Sequence, residues 1–307
     1  MVFEKYQHFN LMLDSILKQN PLQKKRILQF IQSQDETYLD FAENLSGLLY
    51  NKVFINYEGQ AEIIKSYNQT CMELLREQIR FKKTGKYSAA DQNIVKNEVY
   101  DNKDKMRSYI IGLLLSYLFW PNHYAIIKFY QECLREFNIT NYLEIGAGHG
   151  LFTVETLKRF PNTDCFLVDI SETSLGITKE LLRAYDIDIK NITFVNEDFL
   201  NISKPSMGYD FIVMGEVLEH VEDPMKFLNK AKLMLEENGV IFLSTCSNCP
   251  AVDHIYHFHC VGEIRQHIES AGLLILKENV TPLEQIPEAD WEKDKVSINY
   301  SALVKRL

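Results

Sequence analysis

Three glycines crowd the segment Tyr142-Leu-Glu-Ile-Gly-Ala-Gly-His-Gly150, between a short apolar run and the amphipathic stretch Leu151–Phe160. Glycine is needed where a chain leaving a strand must turn tightly and let its backbone approach a bound molecule. The spacing of Gly146, Gly148 and Gly150 is G-x-G-x-G, whereas the dinucleotide fingerprint is G-x-G-x-x-G. Glu144 stands two residues before the first glycine. A carboxylate there is a poor neighbour for pyrophosphate and a good one for a cationic ligand. S-adenosylmethionine, with its sulfonium and ammonium groups, suits both features, so Glu144 and the three glycines are expected around it.

The next apolar run, Phe166-Leu-Val-Asp169-Ile170, ends in an acid 19 residues after Gly150. An acid at that place can accept both hydroxyls of a ribose, a geometry common to several classes of nucleotide-binding sheet. Asp198-Phe199 closes a third run with an acid and an aromatic, suited to an adenine amino group and ring face; a surface turn also explains Asp198. A fourth run, from Asp210, leads into Gly-Glu216-Val-Leu-Glu-His220-Val-Glu-Asp-Pro224. His220 either faces a pocket there or satisfies a helix end. After the fifth run come Cys246-Ser-Asn-Cys249, Asp253, His254, His257, His259 and Cys260. These are metal-ligand types, but the single C-x-x-C has no second pair, so no metal is expected. Thiols packed under a sheet and histidines lining a substrate mouth fit better.

These residues need elements to hold them. From Asn141 onward, apolar runs near 141–145, 164–169, 192–195, 209–214 and 239–245 alternate with helical stretches, the pattern of a parallel sheet in βαβ units. Two last runs, Leu273–Val280 and Val296–Val304, have no long helix between them and predict an antiparallel hairpin at the sheet edge. Residues 1–138 instead show helical spacing from Phe3 onward, with a break near Gly85–Asp91 and a last helix entering at Pro121. The expected fold is therefore α/β, with an all-helical N-terminal substrate-binding or cap domain over 1–138 and a Rossmann-like domain over 139–307.

Net charge divides the same way: +2 over residues 1–138 and −11 over 139–307. An acidic catalytic half repels nucleic-acid phosphate. The basic Arg76, Arg80, Lys82, Lys83 and Lys86 form either a solvated helix end or an attraction site for an acidic partner. The apolar run Tyr109–Trp120 is short of the roughly 20 residues that span a bilayer and reads as a buried helix. Without a visible secretory signal, and with six cysteines expected to be reduced thiols, the chain reads as cytoplasmic. The oligomeric state stays open.

The Glu216–Pro224 segment resembles the E-V-L-E-H-x-x-D-P signature of class I S-adenosylmethionine-dependent methyltransferases acting on small molecules and quinones. Over residues 139–307 the resemblance implies Gly146, Gly148, Asp169, Asp198 and Glu216 as cofactor neighbours. Phe119-Trp-Pro-Asn-His-Tyr124, Gly148–Phe152, Asn248–Tyr256 and Ile298-Asn-Tyr300 resemble the peptide-tailoring O-methyltransferases of lanthipeptide pathways, which esterify a C-terminal carboxylate. That resemblance implies a peptide or small acidic substrate, with His254, Tyr124, His123 and Tyr300 as catalytic candidates and Tyr256 and His257 as further orienting groups. The competing readings are a small-molecule O- or N-methyltransferase, a nicotinamide oxidoreductase and a non-catalytic adaptor. The glycine spacing and the Glu216–Pro224 segment count against the oxidoreductase.

Overall fold

The structure is a computed structural model that describes residues 5–89, 91, 95 and 99–307; Phe3 and Ala90, named in the helical reading and its break, lie outside these. Among the described residues, six α-helices come first: α1 (Gln7–Gln19), α2 (Lys24–Gln32), α3 (Glu36–Leu48), α4 (Tyr57–Thr84), α5 (Lys103–Phe119) and α6 (Pro121–Leu134). Local chemistry sets their ends. The side chains of Asp35, Asn56 and Asn102 accept hydrogen bonds from the free N–H groups at the starts of α3, α4 and α5. Gly85 closes α4 in the left-handed region, at φ 68°, and Pro121 opens α6 where no N–H is missed.

The alternating half forms β1 (Asn141–Ile145), α7 (Leu151–Arg159), β2 (Asp164–Asp169), α8 (Glu172–Ala184), β3 (Ile192–Asn196), β4 (Tyr209–Gly215), α9 (Pro224–Met234), β5 (Leu235–Ser247), α10 (Val261–Ser270), β6 (Leu273–Pro282) and β7 (Ile298–Arg306). The seven strands lie in the order β3-β2-β1-β4-β5-β7-β6. The first five are parallel, and β7 runs antiparallel between β5 and β6. The expected hairpin is thus present, with β6 outermost and the antiparallel strand one place in. The expected break near Gly85 and the helix entering at Pro121 are also observed.

Period-two alternation along each strand sends side chains to two cores. Tyr142, Phe211, Val213 and Phe242 face α6, α7 and the N-terminal helices, whereas Leu143, Ile145, Ile212, Met214 and Tyr300 face α9 and α10. The first of these cores runs without a break from Phe9 on α1 to Leu303 on β7. Phe9 stacks on Phe119 at 5.7 Å, and the Tyr38 hydroxyl donates to the Leu118 carbonyl at 2.5 Å. No single helix among the described residues is long and apolar enough to cross a membrane; α5 and α6 reach that length together only across an 81° bend.

The seam between α4 and α5 has no spare room. A Cβ on Gly112 would lie 2.1 Å from the Thr70 hydroxyl oxygen and 3.0 Å from the Ser66 carbonyl. Gly176, on α8, has nothing within 4 Å of that position. Gly112→Ala is expected to cost about 1–3 kcal/mol through overpacking, and Gly176→Ala to add about 0.5–1 kcal/mol through helix propensity. Guanidinium unfolding midpoints of the two variants check both signs.

Candidate active site

In the sheet order the chain reverses direction between β1 and β4, which opens a crevice at the carboxyl ends of the strands. A cavity of about 590 Å³ occupies that crevice and extends under α5 to α2 and α4. Gly146 and Gly148 line it, both in the left-handed region at φ 70° and 54°. Asp169, at the end of β2, lines it too; one carboxylate oxygen accepts from Gly148 N–H at 3.0 Å and the other from Ser171 N–H at 2.8 Å. A carboxylate has about four lone-pair sites, so two remain for hydroxyls of a ligand. Burial raises Asp169 to about 6 against the two N–H groups, which lower it. Ile170, Asp198 and Phe199 complete this side; Asp198 accepts from Leu200 N–H at 2.8 Å, and Phe199 packs on Phe227.

The end of β4 supplies the floor. Glu216 is a non-glycine residue at φ 54°, a conformation that strains an L side chain. One of its carboxylate oxygens accepts from Asn299 Nδ2 at 3.1 Å, and the other is buried without a partner. Asn122 donates in turn to Asn299 at 2.8 Å. Glu219 is fully buried, accepts from Thr245 at 2.7 Å and is pushed well up by burial and by Glu216. Asp223 and Pro224, the end of the signature segment, are the N-cap and first residue of α9. His220 Nδ1 lies 3.3 Å from Asp253 Oδ2, and Tyr109 donates to the same carboxylate at 2.9 Å.

Four imidazoles stand on the wall; besides His220 they are His254, His123 and His149, whose tautomers follow from their partners. His254 Nδ1 faces the Cys249 carbonyl at 2.6 Å, so it carries the proton. Ser116 gives its proton to the Leu113 carbonyl, so the 2.6 Å contact to His123 Nδ1 is a donation from the ring. His149 Nδ1 accepts from Leu151 N–H at 3.1 Å. Burial lowers His123 to about 3 and His149 and His254 to about 4, so all three are neutral at pH 7. Tyr117 lies edge-on to His149, and its hydroxyl makes no hydrogen bond to a described residue. Glu219, Cys246 and His254, and His220, Asp253 and His254, gather ligand-type atoms within 4.8 Å. In the first group the Cys246 thiol lies 4.0 Å from Glu219 and 3.9 Å from His254 Nδ1.

The structure therefore brings His123, His254, Gly146, Gly148, Asp169, Ile170, Asp198, Phe199, Glu216 and His220 to one cavity. Six residues expected at the site lie off it. Glu144 lies beneath the glycine turn, accepting from the Tyr142 hydroxyl at 2.7 Å and from Thr153, because alternation on β1 turns it toward α7. Gly150 is off the cavity; a Cβ there would come within 2.6 Å of Thr178, so its bareness lets α7 start against α8. Tyr124 follows His123 on α6 and points the other way, into Tyr38 and Phe30. Tyr300 faces the far side of β7 and donates to Glu278 at 2.9 Å, while its neighbour Asn299 faces the cavity. Tyr256 and His257 are also off the wall, bonded to His267 and Asn248. The sequence reading missed Tyr117, Tyr109, Asn299 and Glu219. For Asn299 the period-two rule was the available signal; the tyrosines on α5 had none.

Residues 114–276, more than half of the chain, match the methyltransferase-domain family. The malonyl-[acyl-carrier protein] O-methyltransferase 1 of Ilyobacter polytropus is 36% identical over 108 residues, which cover 35% of this chain and 38% of that protein's length. The ubiquinone biosynthesis O-methyltransferase of Coxiella burnetii is 27% identical over 182 residues, covering 52% of this chain and 74% of its own. Among solved structures, mitomycin 7-O-methyltransferase MmcR is similar at a TM-score of 0.52 and 12% identity, covering 77% of this chain and 68% of that one. N-methyltransferase NodS of Bradyrhizobium japonicum, solved with S-adenosyl-L-homocysteine, is similar at 0.50 and 18% identity, over 66% of this chain and 97% of that one. The cofactor is S-adenosylmethionine. The residues present fit it: the unpartnered buried oxygen of Glu216 suits a cation, and Asp169 keeps acceptor sites free.

Asp169→Ala is expected to weaken S-adenosylmethionine binding at least about tenfold, in line with the roughly 1.5–3 kcal/mol of a charged hydrogen bond. Affinity should also fall as pH drops through about 6, where the Asp169 carboxylate takes its proton, and Asp169→Asn should remove that dependence. Calorimetry from pH 5 to 8 decides. Gly148→Ala is the matched probe of the turn, because a Cβ there meets no atom of the chain closer than 3.8 Å. At φ 54° the new side chain is itself strained, about 1–2 kcal/mol in the unfolding midpoint, and the turn assignment requires a fall in cofactor affinity beyond that loss. With this fold, this cavity and this match, the chain belongs to the methyltransferase-domain family and is an S-adenosylmethionine-dependent methyltransferase.

Proposed function

We propose that the chain methylates a carboxylate oxygen, that of a peptide C-terminus, giving a methyl ester. The observation that carries this reading is the full burial of three of the four wall imidazoles, which lowers His123 to about 3 and His149 and His254 to about 4. A phenol, with a pKa near 10, must lose its proton to react, and a base near 4 removes it poorly. A carboxylate arrives ionised and needs only alignment and the exclusion of water. The cofactor supplies a methyl group activated by its sulfonium; the new O–CH3 bond forms as the S–CH3 bond breaks.

His123 and His254 do not hold the acceptor as donors, because their protons are committed to Ser116 and Cys249, whereas His149, whose Nδ1 accepts, keeps its proton on Nε2. Tyr117 has a free hydroxyl, and Arg26 is the only lysine or arginine among the described residues that line the cavity. These two are assigned to the carboxylate. The name of the Ilyobacter relative points the same way, since a malonyl thioester offers one free carboxylate.

A second reading has its own observation. His220 and Asp253, 3.3 Å apart on the cavity wall, are spaced as a base and its orienting acid, which suits a hydroxyl acceptor such as that of the ubiquinone-pathway relatives.

Product chemistry separates the two. Incubation with labelled cofactor and peptides bearing a free C-terminus should give a product that releases methanol in mild base; a base-stable aryl ether or N-methyl group would reject the carboxylate. Tyr117→Phe is expected to lower kcat/KM by about tenfold, with cofactor affinity unchanged, the scale of one lost hydrogen bond. His254→Asn and His220→Asn should each cost less than that. A loss of about a hundredfold at His220, with a residual rate that climbs with hydroxide, is the mark of a required base and would favour the second reading.

A further inference from the structure

Helix α4 carries an outward stripe that stays exposed among the described residues. Met72, Leu75, Arg76, Ile79, Arg80 and Lys83 recur at helical positions i, i+3, i+4, i+7, i+8 and i+11, which places them on one face. The three aliphatic side chains are 39%, 43% and 48% exposed, and the three cations enter no ion pair or side-chain hydrogen bond among the described residues. The six positions themselves hold no acid, and Glu73, which borders them one turn before Arg76, accepts from Gln69. The stripe also does not end at the surface: Met72 and Leu75 line the cavity, where Leu22 and Arg26 stand on the wall with them.

We propose that this face of α4 binds an acidic, aliphatic segment of a polypeptide substrate, just upstream of the residue whose carboxylate is methylated. The inference rests on the carboxylate reading above. Continuity selects the occupant, since only a flexible chain can lie along the stripe and also reach down the cavity. The charge selects the composition: unpaired cations on a shared face favour Asp and Glu and disfavour Lys and Arg. From Met72 to Lys83 the face is about 16 Å long, which an extended peptide covers in about five residues. The recognised segment is therefore short, and its apolar side chains meet Met72, Leu75 and Ile79 while its acids meet Arg76, Arg80 and Lys83.

The test measures binding apart from turnover. Fluorescent peptides with a free C-terminus are titrated against the full chain with S-adenosylhomocysteine present. One carries alternating Glu and Leu in the upstream segment, and its partner carries Lys for every Glu. The acidic peptide is expected to bind at least about tenfold more tightly, less so as salt rises, and Arg76→Glu/Arg80→Glu should erase the preference. Unchanged cofactor affinity in that variant shows that it is folded. Equal binding of the two peptides, or a preference that survives the double charge reversal, overturns the docking surface. So does a finding that the chain prefers vesicles of one part phosphatidylserine to three of phosphatidylcholine through the same arginines, without preferring the acidic peptide. A C-terminally amidated acidic peptide keeps the two readings apart. If the free and amidated forms both bind and neither gains a base-labile methyl group, the carboxylate reading fails and the docking surface stands; if acidic and basic peptides bind alike and are esterified alike, the reverse holds.

Discussion

The Asp169 carboxylate is bound by two backbone N–H groups, those of Gly148 and Ser171, and the shape of the cofactor side depends on them. One bond ties the glycine turn after β1 to the end of β2; the other fixes the entry to α8, where Ser171 is the N-cap. Two strand ends and one helix start thus share one acid. Because the acid is buried, it is costly unless its bonds are complete, and the turn cannot drift away without exposing that cost. A left-handed Gly148 is what allows its N–H to point at the acid while the backbone stays open to a ligand.

The helical residues before the sheet are more than a cover. Helix α5 packs against α4 at Gly112 and contributes Tyr109, Ile110 and Tyr117 to the cavity wall, so the same helix belongs to the hydrophobic core and to the site. Tyr109 meets Asp253 from across 144 residues of sequence. A wall built this way is stiff, which suits a reaction whose enzyme mainly aligns two reactants and keeps water out. It also explains the low basicity of the imidazoles: the apolar packing that makes the wall rigid is the burial that strips their protons.

The strands could be read from the sequence because each buried run is short and bounded by turns, and the glycine turn, Asp169 and the Glu216–His220 segment lie where such strands must end. What could not be read depends on contacts between distant parts. Glu144 and Gly150 sit in the right motif, yet alternation on β1 and the approach of Thr178 give them packing duties. In Ile298-Asn-Tyr300 the aromatic drew attention, and the amide beside it does the work, since neighbours on a strand face opposite ways. β5 begins at Leu235, four residues before its apolar run, through an irregular pairing with Tyr209 that no periodicity announces. Tyr109 and Tyr117 lie in a helix apolar nearly all round, where no stripe distinguishes a cavity face from a core face.

The position of β7 bears on the order in which the molecule is made. Among the strands, β6 pairs with β7 alone, and β7 is the last of them along the chain. Until β7 slides between β5 and β6, the growing sheet ends at β5, with an unpaired apolar edge of the kind that invites misassembly. Asn299 arrives on that strand, so the Asn122–Asn299–Glu216 chain is the last part of the floor to close. A competent site therefore needs the last strand along the chain, inserted between two strands that precede it.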